Sequence, residues 1–303
     1  MTRAACAILA LLALAACSGN RPPPPGSGGD RGLPAGLEIT WWVVDDSLQP
    51  AKEPLPQVLR DYEARPLPGA GRELWKANGL RVGPVPLPEL DLVRARLATA
   101  GPLHEQWLGI LPDWTPLIAG PDFAEPVRLQ LDSGSLDLPP GRLRLLARAW
   151  ATPVEPESAP PAGGPAAPAD GRLPAALRVE VLPQHAQAAP SDPLRRALGA
   201  PAPGILDQGQ TFPRLTLALL ARGKQAFLIV PADPAEDWAG AEGAGGEAGR
   251  PASSTADAPL APLPAPVPAP TFGQAMLSDA AHPFRRAVLV LIPHAPAHFE
   301  IGR

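Results

Sequence analysis

The sequence predicts an α+β fold, a small α/β layer followed by an antiparallel region that forms a β-sandwich or a curved sheet. Three observations lead to this prediction. The first part of the chain mixes strand-like and helix-like patterns, and the second alternates apolar and polar residues with period two. In addition, 45 prolines and 29 glycines among 303 residues interrupt both parts. Alternation with period two is typical of antiparallel sheets with one face in water.

The first part, residues 37–120, is expected to form the small α/β layer. Strands are predicted where β-branched and aromatic residues cluster, and helices where apolar residues recur on one helical face. The predicted strands are 37–44, 80–85 and 103–111, and the predicted helices are 55–62, 72–78 and 88–100. Gly79 suits a left-handed helix end, and Gly101 with Pro102 should stop the third helix. The order of elements indicates a helix that crosses between strands.

The second part, residues 121–303, is expected to be β-rich and antiparallel. The segments that alternate or read as strands are 127–131, 142–145, 177–181, 214–219 and 225–230. Residues 286–292 lack polar alternation, which predicts a central strand covered on both faces. Two insertions rich in Ala, Pro and Gly, at about 153–170 and 239–270, are too poor in large apolar residues to offset backbone ordering. We therefore predict that both insertions are disordered.

The N-terminal residues have the pattern of an export signal. Arg3 precedes an apolar run, residues 4–16, that is shorter than the roughly 20 residues needed to span a bilayer. The run closes with Leu14-Ala15-Ala16-Cys17, which resembles a bacterial lipobox. The resemblance implies that residues 1–16 are a signal peptide and that Cys17 carries a diacylglycerol on its sulfur and usually an acyl group on its nitrogen.

The lipobox resemblance also implies a location. The lipid would anchor the protein to a membrane in the cell envelope, and residues 17–36, rich in Pro and Gly, would form a flexible tether. Ser18 follows the cysteine where enteric lipoproteins retained at the inner membrane have an aspartate. By that resemblance the periplasmic side of the outer membrane is favoured if the cell has two membranes.

Composition excludes several classes of function. The net charge of −4, without a long basic run, makes nucleic acid an unsuitable partner. Cys6 would leave with the signal and Cys17 would be acylated, so no thiol remains for disulfides, thiolate catalysis or zinc binding. Pro296 between His294 and His298 prevents the helix that would put both rings on one face. We expect no metal and no cofactor.

One turn resembles a catalytic motif. Leu131-Asp132-Ser133-Gly134-Ser135 is similar to the Asp-Ser/Thr-Gly turn of aspartic proteases, in which two aspartates share one proton. The partial second copy, Leu206-Asp207-Gln208-Gly209, has Gln208 where that family needs a hydroxyl. The alternative is an ordinary hairpin turn between two alternating segments, and this interpretation is favoured.

A group of acids and tryptophans is the remaining candidate ligand site. Glu105, Asp113, Trp107 and Trp114 could together bind a sugar, because indole faces stack on pyranose rings, and two carboxylates at a suitable separation could hydrolyse it. The favoured alternative is that the tryptophans fill the core of the α/β layer and its junction with the sheet. The tryptophans concerned are Trp41, Trp42, Trp75, Trp107, Trp114 and Trp150.

The sequence therefore predicts a lipid-anchored, non-enzymatic scaffold or adaptor. It would bind another envelope protein through a sheet edge or the tryptophan-rich layer, since no set of residues forms a complete catalytic constellation. Two alternatives stay open. One is an envelope-polymer hydrolase that uses Asp132 or the pair Glu105 and Asp113, and the other is a glycan-binding module without catalysis.

Overall fold

Two antiparallel sheets carry most of the secondary structure of this chain. The computed structural model describes residues 34–47, 52–67, 69–154, 173–187, 204–235, 268–279 and 281–299. The predicted signal peptide, residues 17–33 of the tether and most of both predicted insertions lie outside the described residues. Cys17 lies outside them as well.

The described residues form fifteen strands and four α-helices. The strands are β1 (Gly36–Asp45), β2 (Gly69–Ala70), β3 (Leu80–Pro86), β4 (Thr99–Gly109), β5 (Leu111–Phe123), β6 (Val127–Leu131), β7 (Gly134–Leu138), β8 (Gly141–Pro153), β9 (Leu173–Gln187), β10 (Gly209–Thr211), β11 (Leu217–Ala221), β12 (Gln225–Pro231), β13 (Ser278–Asp279), β14 (His282–His294) and β15 (His298–Phe299). The helices are α1 (Leu55–Glu63), α2 (Arg72–Ala77), α3 (Leu90–Arg96) and α4 (Phe272–Leu277).

The strands form two large sheets and one hairpin. Sheet A has the order β3-β12-β14-β1-β4, with β13 paired to β14. Sheet B has the order β2-β11-β9-β8-β5, with β10 and β15 paired to β9, and β6 and β7 form the separate hairpin. Neighbouring strands pair antiparallel, and the sheets include a curled half-barrel. The prediction of antiparallel sheets is confirmed.

Sheet A is covered on both faces by apolar layers. On one face, Ile39 and Leu289 pack in a core shared with residues of sheet B such as Leu145 and Val179. On the other face, Trp42 and other residues pack against α1 and α3. Because the side chains of a strand alternate between faces, each inner strand of sheet A contributes to both cores.

Strand β14 shows this double coverage most clearly. Leu289 and Leu291 belong to the core between the sheets, whereas Val288, Val290 and Ile292 belong to the core beneath the helices. The strand lies between β12 and β1. The prediction of a central strand covered on both faces is confirmed.

The short helices form where the sequence gives one apolar stripe or a good cap. In α1, Leu55, Val58, Leu59 and Tyr62 are buried, the spacing of one helical face. Helix α4 begins at a capping box, in which the Thr271 hydroxyl accepts from the Gln274 amide nitrogen. The prediction for α2 is also confirmed, because Gly79 follows it with a φ of 78°.

The helix predicted over residues 88–100 is shorter than expected. A 3₁₀ turn occupies Leu87–Glu89, and α3 ends at Arg96. The Asp45 amide then donates to the Ala98 carbonyl (2.9 Å), and Thr99 pairs with Val44 in the sheet. Pairing with β1 therefore ends the helix before Gly101 and Pro102, which lie inside β4.

Strand β5 is the element that the sequence did not predict in full. The predicted strand 103–111 breaks at Ile110, where the chain passes from sheet A to sheet B. Prolines at 112, 116 and 121 argue against a strand, but β5 is the edge of sheet B, where a missing amide donor is tolerated.

The remaining corrections concern boundaries. Residues 37–120 do not form a layer of their own, because β12 and β14 join β1, β3 and β4 in sheet A. The predicted boundary at residue 120 falls inside β5 and does not separate the sheets. The strand predicted at 214–219 begins at Leu217, after a 3₁₀ turn over Pro213–Leu215. Pro153, predicted to open an insertion, ends β8.

No helix in the described parts of the chain is long and apolar enough to cross a membrane.

Candidate functional site

The backbones of β1 and β4 are tightly packed at the end of β4, just before the chain passes into β5. We call this region, formed by Gly36, Gly109 and Leu111, the closed corner. A Cβ atom added to Gly36 would lie 2.5 Å from the Gly109 Cα, so the two backbones touch. Leu111 is buried in the core between the sheets. The corner therefore has no room for a side chain at Gly36.

Away from this corner, β4 and β5 are edge strands of different sheets, and a groove of about 1050 Å³ lies between the sheets. Most of its walls consist of small or apolar side chains. The groove is lined by Trp41, Val43, Ala100, Gly101, Leu117, Ile118, Ala119, Gly120, Pro121, Met276, Leu277, Ser278, Asp279, Ala281, Arg285 and Ala287.

Helix α4 lines the groove against β5. A Cβ atom added to Gly120 would lie 2.7 Å from the Met276 carbonyl oxygen, so the helix and β5 are in close contact. The capping box fixes the start of the helix, and the Gln130 amide donates to the Pro270 carbonyl (2.9 Å) just before it. These contacts make this wall a fixed surface.

The two charged residues that line the groove, Asp279 and Arg285, are each paired with a residue outside the lining. Arg285 Nε donates to Asp45 Oδ2 (2.8 Å), and Asp279 Oδ2 lies 2.9 Å from His282 Nδ1. Hydrogen bonds from Ser47 and then Arg285 lower the pKa of Asp45, and the bond to His282 lowers the pKa of Asp279. Because these charges are satisfied, the groove is suited to an apolar ligand.

The two edge strands that border the groove differ in their regularity. Strand β5 has three register shifts against β8 in addition to its prolines. Strand β4 pairs with β1 without interruption from His104↔Trp41 to Trp107↔Glu38. Among the described strands β4 pairs only with β1, so one row of its backbone amides and carbonyls faces away from the sheet.

The acids and tryptophans predicted as a ligand site lie on two different sheets. Glu105 and Trp107 belong to β4 of sheet A, and Asp113 and Trp114 belong to β5 of sheet B. Both carboxylates are exposed, and both tryptophans are half-buried. The fold divides the predicted group into two pairs.

Trp107 has neighbours that no sequence pattern predicted. Its ring is 5.2 Å from the ring of His294, and His294 Nε2 lies 2.9 Å from Glu38 Oε2. Glu38 and His294 are 256 residues apart in the chain. Only the pairing of β1 with both β4 and β14 brings them together.

Trp114 belongs to a cluster on the outer face of sheet B. The Arg148 guanidinium lies over the rings of Trp114 (4.9 Å) and Trp150 (5.1 Å), and Arg178 lies over Trp150 (5.5 Å). Glu180 accepts hydrogen bonds from both arginines. Burial raises the pKa of Glu180, but these bonds outweigh it, so the pKa is lowered. Period-two alternation in β8 and β9 was the only sequence signal for this cluster.

The interpretation of the tryptophans as core residues is correct for two of them. Trp42 and Trp75 are buried, and the Trp75 indole donates to the Leu215 carbonyl. The other four are half-buried at the surface of a sheet: Trp41, Trp107, Trp114 and Trp150. Trp41 stacks on His104 with ring centres 3.9 Å apart, beside the groove.

The turn that resembles an aspartic protease motif is a hairpin turn, as the favoured interpretation predicted. Leu131 pairs with Gly134 across it. The Asp132 amide donates to Asn78 Oδ1 (3.1 Å), and Asn78 Nδ2 donates to Asp132 Oδ1 (3.2 Å). Arg214 lies 3.6 Å from the other carboxylate oxygen. Asp207 of the partial second copy lies in a 3₁₀ turn, Ile205–Gln208.

Across the described residues, no group of three or more His, Cys, Asp or Glu side chains could hold a metal ion. His294 contacts Glu38, and His298 belongs to β15.

No protein-family model, no curated protein and no solved structure matches this chain.

Proposed function

We propose that this protein is a lipid-anchored, non-enzymatic adaptor whose groove binds an extended, apolar segment of another envelope protein. The observation that carries the proposal is the groove between β4 and β5, which is bordered by edge strands of two sheets and lined largely by apolar residues. Concave, mostly apolar surfaces are typical of binding sites. Exposed sheet edges accept extended peptides as additional strands.

The uninterrupted part of β4, residues 104–107, continues the edge from Ala100 and Gly101, which line the groove, and favours an extended occupant. A segment that pairs with β4 would place every second side chain between the two sheets, towards Trp41 and Leu117. Alternating apolar residues would therefore suit it. Pairing of the same segment with β5 is disfavoured, because prolines and register shifts interrupt the edge of β5.

The anchor in this proposal is the lipid on Cys17, with residues 17–36 as the tether. The periplasmic side of the outer membrane is the proposed location if the cell has two membranes. Several acyl chains would hold the protein firmly, whereas one chain binds only marginally.

The arrangement of the acids supports a non-enzymatic role. Asp132 is engaged by Asn78 and Arg214, and Glu105 and Asp113 lie on edge strands of different sheets. We expect Asp132→Ala to lower the free energy of unfolding by about 1–2 kcal/mol, because one N–H of the buried Asn78 side chain loses its acceptor. Urea denaturation measures this loss. A hydrolase that uses Asp132 would instead lose activity on envelope polymers at an unchanged melting temperature.

The outer face of sheet B gives less support to glycan binding. The Arg148 guanidinium already lies over the rings of Trp114 and Trp150, the surfaces on which a sugar would stack. We expect no change in tryptophan fluorescence when cell-wall fragments are added. Saturable quenching would favour the glycan-binding alternative.

The adaptor role is tested by crosslinking in cells, followed by purification of the tagged protein from membranes. Three forms are compared: wild type, Cys17→Ala, which lacks the anchor, and Ala287→Leu, which fills part of the groove. We expect one discrete partner with wild type and its loss with both variants. A partner that is recovered equally well with Ala287→Leu would show that it binds elsewhere.

A further inference from the structure

Sheet B holds a buried arginine on the face that points away from sheet A. Arg144 is only 5% exposed and lies on β8 between Leu143 and Leu145, whose side chains face the core between the sheets. Arg144 Nε donates to Gln184 Oε1 (2.8 Å), and Nη2 donates to the Ile205 carbonyl (3.2 Å) and to Gln208 Oε1 (3.1 Å). The guanidinium is thus held between the sheet and the 3₁₀ turn Ile205–Gln208.

All three acceptors are neutral. Within the described ranges, no carboxylate lies within 4 Å of the Arg144 nitrogens. The other buried arginine in these ranges, Arg81, is 3% exposed and pairs with Glu63 at 2.8 Å. Burying a charge without a counter-charge costs free energy. Arg144 therefore lacks the carboxylate partner that Arg81 has in Glu63.

The charge nearest to Arg144 is also positive, which increases the free-energy cost of keeping Arg144 charged. Burial lowers the pKa of Arg144, and the positive charge of Arg142 lowers it further. Arg142 itself is only loosely compensated, because its Nε lies 4.0 Å from Asp122 Oδ1. Asp207, on the neighbouring 3₁₀ turn, is exposed and does not reach Arg144. Counted over the described residues, the charge around Arg144 is therefore positive.

The guanidinium is also held in a fixed orientation. Gln184, which is fully buried, donates from Nε2 to the carbonyls of Ile205 and Leu206 (3.1 and 3.2 Å), so its own position is set. Arg144 Nη1 donates to no acceptor in the described part of the chain. A donor that is oriented before a ligand arrives binds it with a smaller entropy cost.

We propose that Arg144 is the anchor of an anion-binding site that takes one carboxylate or phosphate group, supported by the charge of Arg142. Because only a small part of Arg144 is exposed, the site fits the terminal group of a ligand. The site is separate from the groove and does not depend on the proposed adaptor function.

The test measures binding of sodium phosphate and of sodium acetate to the full chain by calorimetry at constant ionic strength. We expect saturable binding of at least one of them in the millimolar range. Arg144→Gln should weaken it tenfold or more, and Arg142→Gln by a smaller factor. Arg128→Gln is the matched control, because Arg128 is an exposed arginine paired with Asp137 on the β6–β7 hairpin, and it should leave binding unchanged.

A second variant keeps the proposal testable if Arg144→Gln does not fold. Gln208→Glu places a carboxylate where Gln208 Oε1 now accepts from Arg144, and so supplies the counter-charge from within the chain. It should raise the melting temperature and abolish binding of the added anion. Binding of phosphate alone or acetate alone would identify the ligand class. The proposal is overturned if wild type binds neither anion, or if Gln208→Glu or Arg144→Gln binds as tightly as wild type.

Discussion

The closed corner and the groove both include residues of β1, β4 and β5, yet they differ in how closely these residues pack. At the corner, Gly36 and Gly109 bring the backbones of β1 and β4 into contact. Along the groove, small residues such as Gly101, Ala119 and Ala287 leave the space between the sheets unfilled. Small residues therefore have opposite effects at the two ends. They permit backbone contact between β1 and β4 at the corner, and they leave a cavity along the groove.

The largest expected difference between the two regions comes from the same substitution at two glycines. Gly36→Ala places a Cβ atom against the Gly109 backbone, and we expect a loss of about 3 kcal/mol in the free energy of unfolding. Gly101→Ala meets no atom within 4 Å, but the residue has a φ of 78°, so about 1 kcal/mol should be lost. Urea denaturation compares the two variants. Equal losses would contradict the difference in packing between corner and groove.

A pH dependence is expected from the inner face of sheet B. His185 is fully buried opposite Leu143, and neither ring nitrogen has a hydrogen-bond partner of good geometry in the described residues. Burial lowers its pKa below the ordinary value of 6.5, although the Pro139 backbone opposes this shift. The unfolded chain therefore binds the proton more readily than the folded one. The contribution of neutral His185 to the free energy of unfolding should be fully present well above pH 6.5. It should be lost as the pH falls below 6.5.

The measurement for His185 is the urea midpoint at pH 7.5 and at pH 5. His185→Asn should lose less stability between these two values than wild type does. His298→Asn changes an exposed histidine and should lose as much as wild type. If His185→Asn and wild type respond equally to acid, buried His185 does not contribute to the pH dependence.

The smallest effect on stability is expected where the groove has space. Ala287→Leu should change the free energy of unfolding by less than about 0.5 kcal/mol, because the added carbons enter the groove. Ala95→Leu, on an exposed position of α3, is the matched control. Thermal denaturation compares both with wild type. A large loss for Ala287→Leu would indicate that this wall is already packed.

Local patterns were enough to predict most elements but not their partners. The alternation around residues 127–138 predicts the β6–β7 hairpin, and the apolar run at 286–292 predicts a strand covered on both faces. In contrast, the helix predicted to end at residue 100 ends at Arg96, since pairing with β1 is worth more than the helical preference of Leu97 and Ala98. Distant pairing leaves no trace in a local window.

The groove could not be predicted for the same reason. Its walls come from β1, β4, β5, α4, β13 and β14, and the pairing of β14 with β1 is one of the distant contacts that bring them together. The prolines of β5, which borders the groove, also prevented the prediction of this strand in full. The sequence did indicate a sheet edge as a binding surface, but nothing in it indicated which edge.

Site-specific photocrosslinking in cells tests the groove most directly. A photoreactive phenylalanine at Ala119, exposed in the groove, is compared with one at Leu92, which is 64% exposed on α3. We expect one discrete protein adduct from position 119, its loss when Ala287→Leu is added, and no such adduct from position 92. The absence of an adduct from position 119, or the same adduct from position 92, would contradict the proposal that the groove binds a partner.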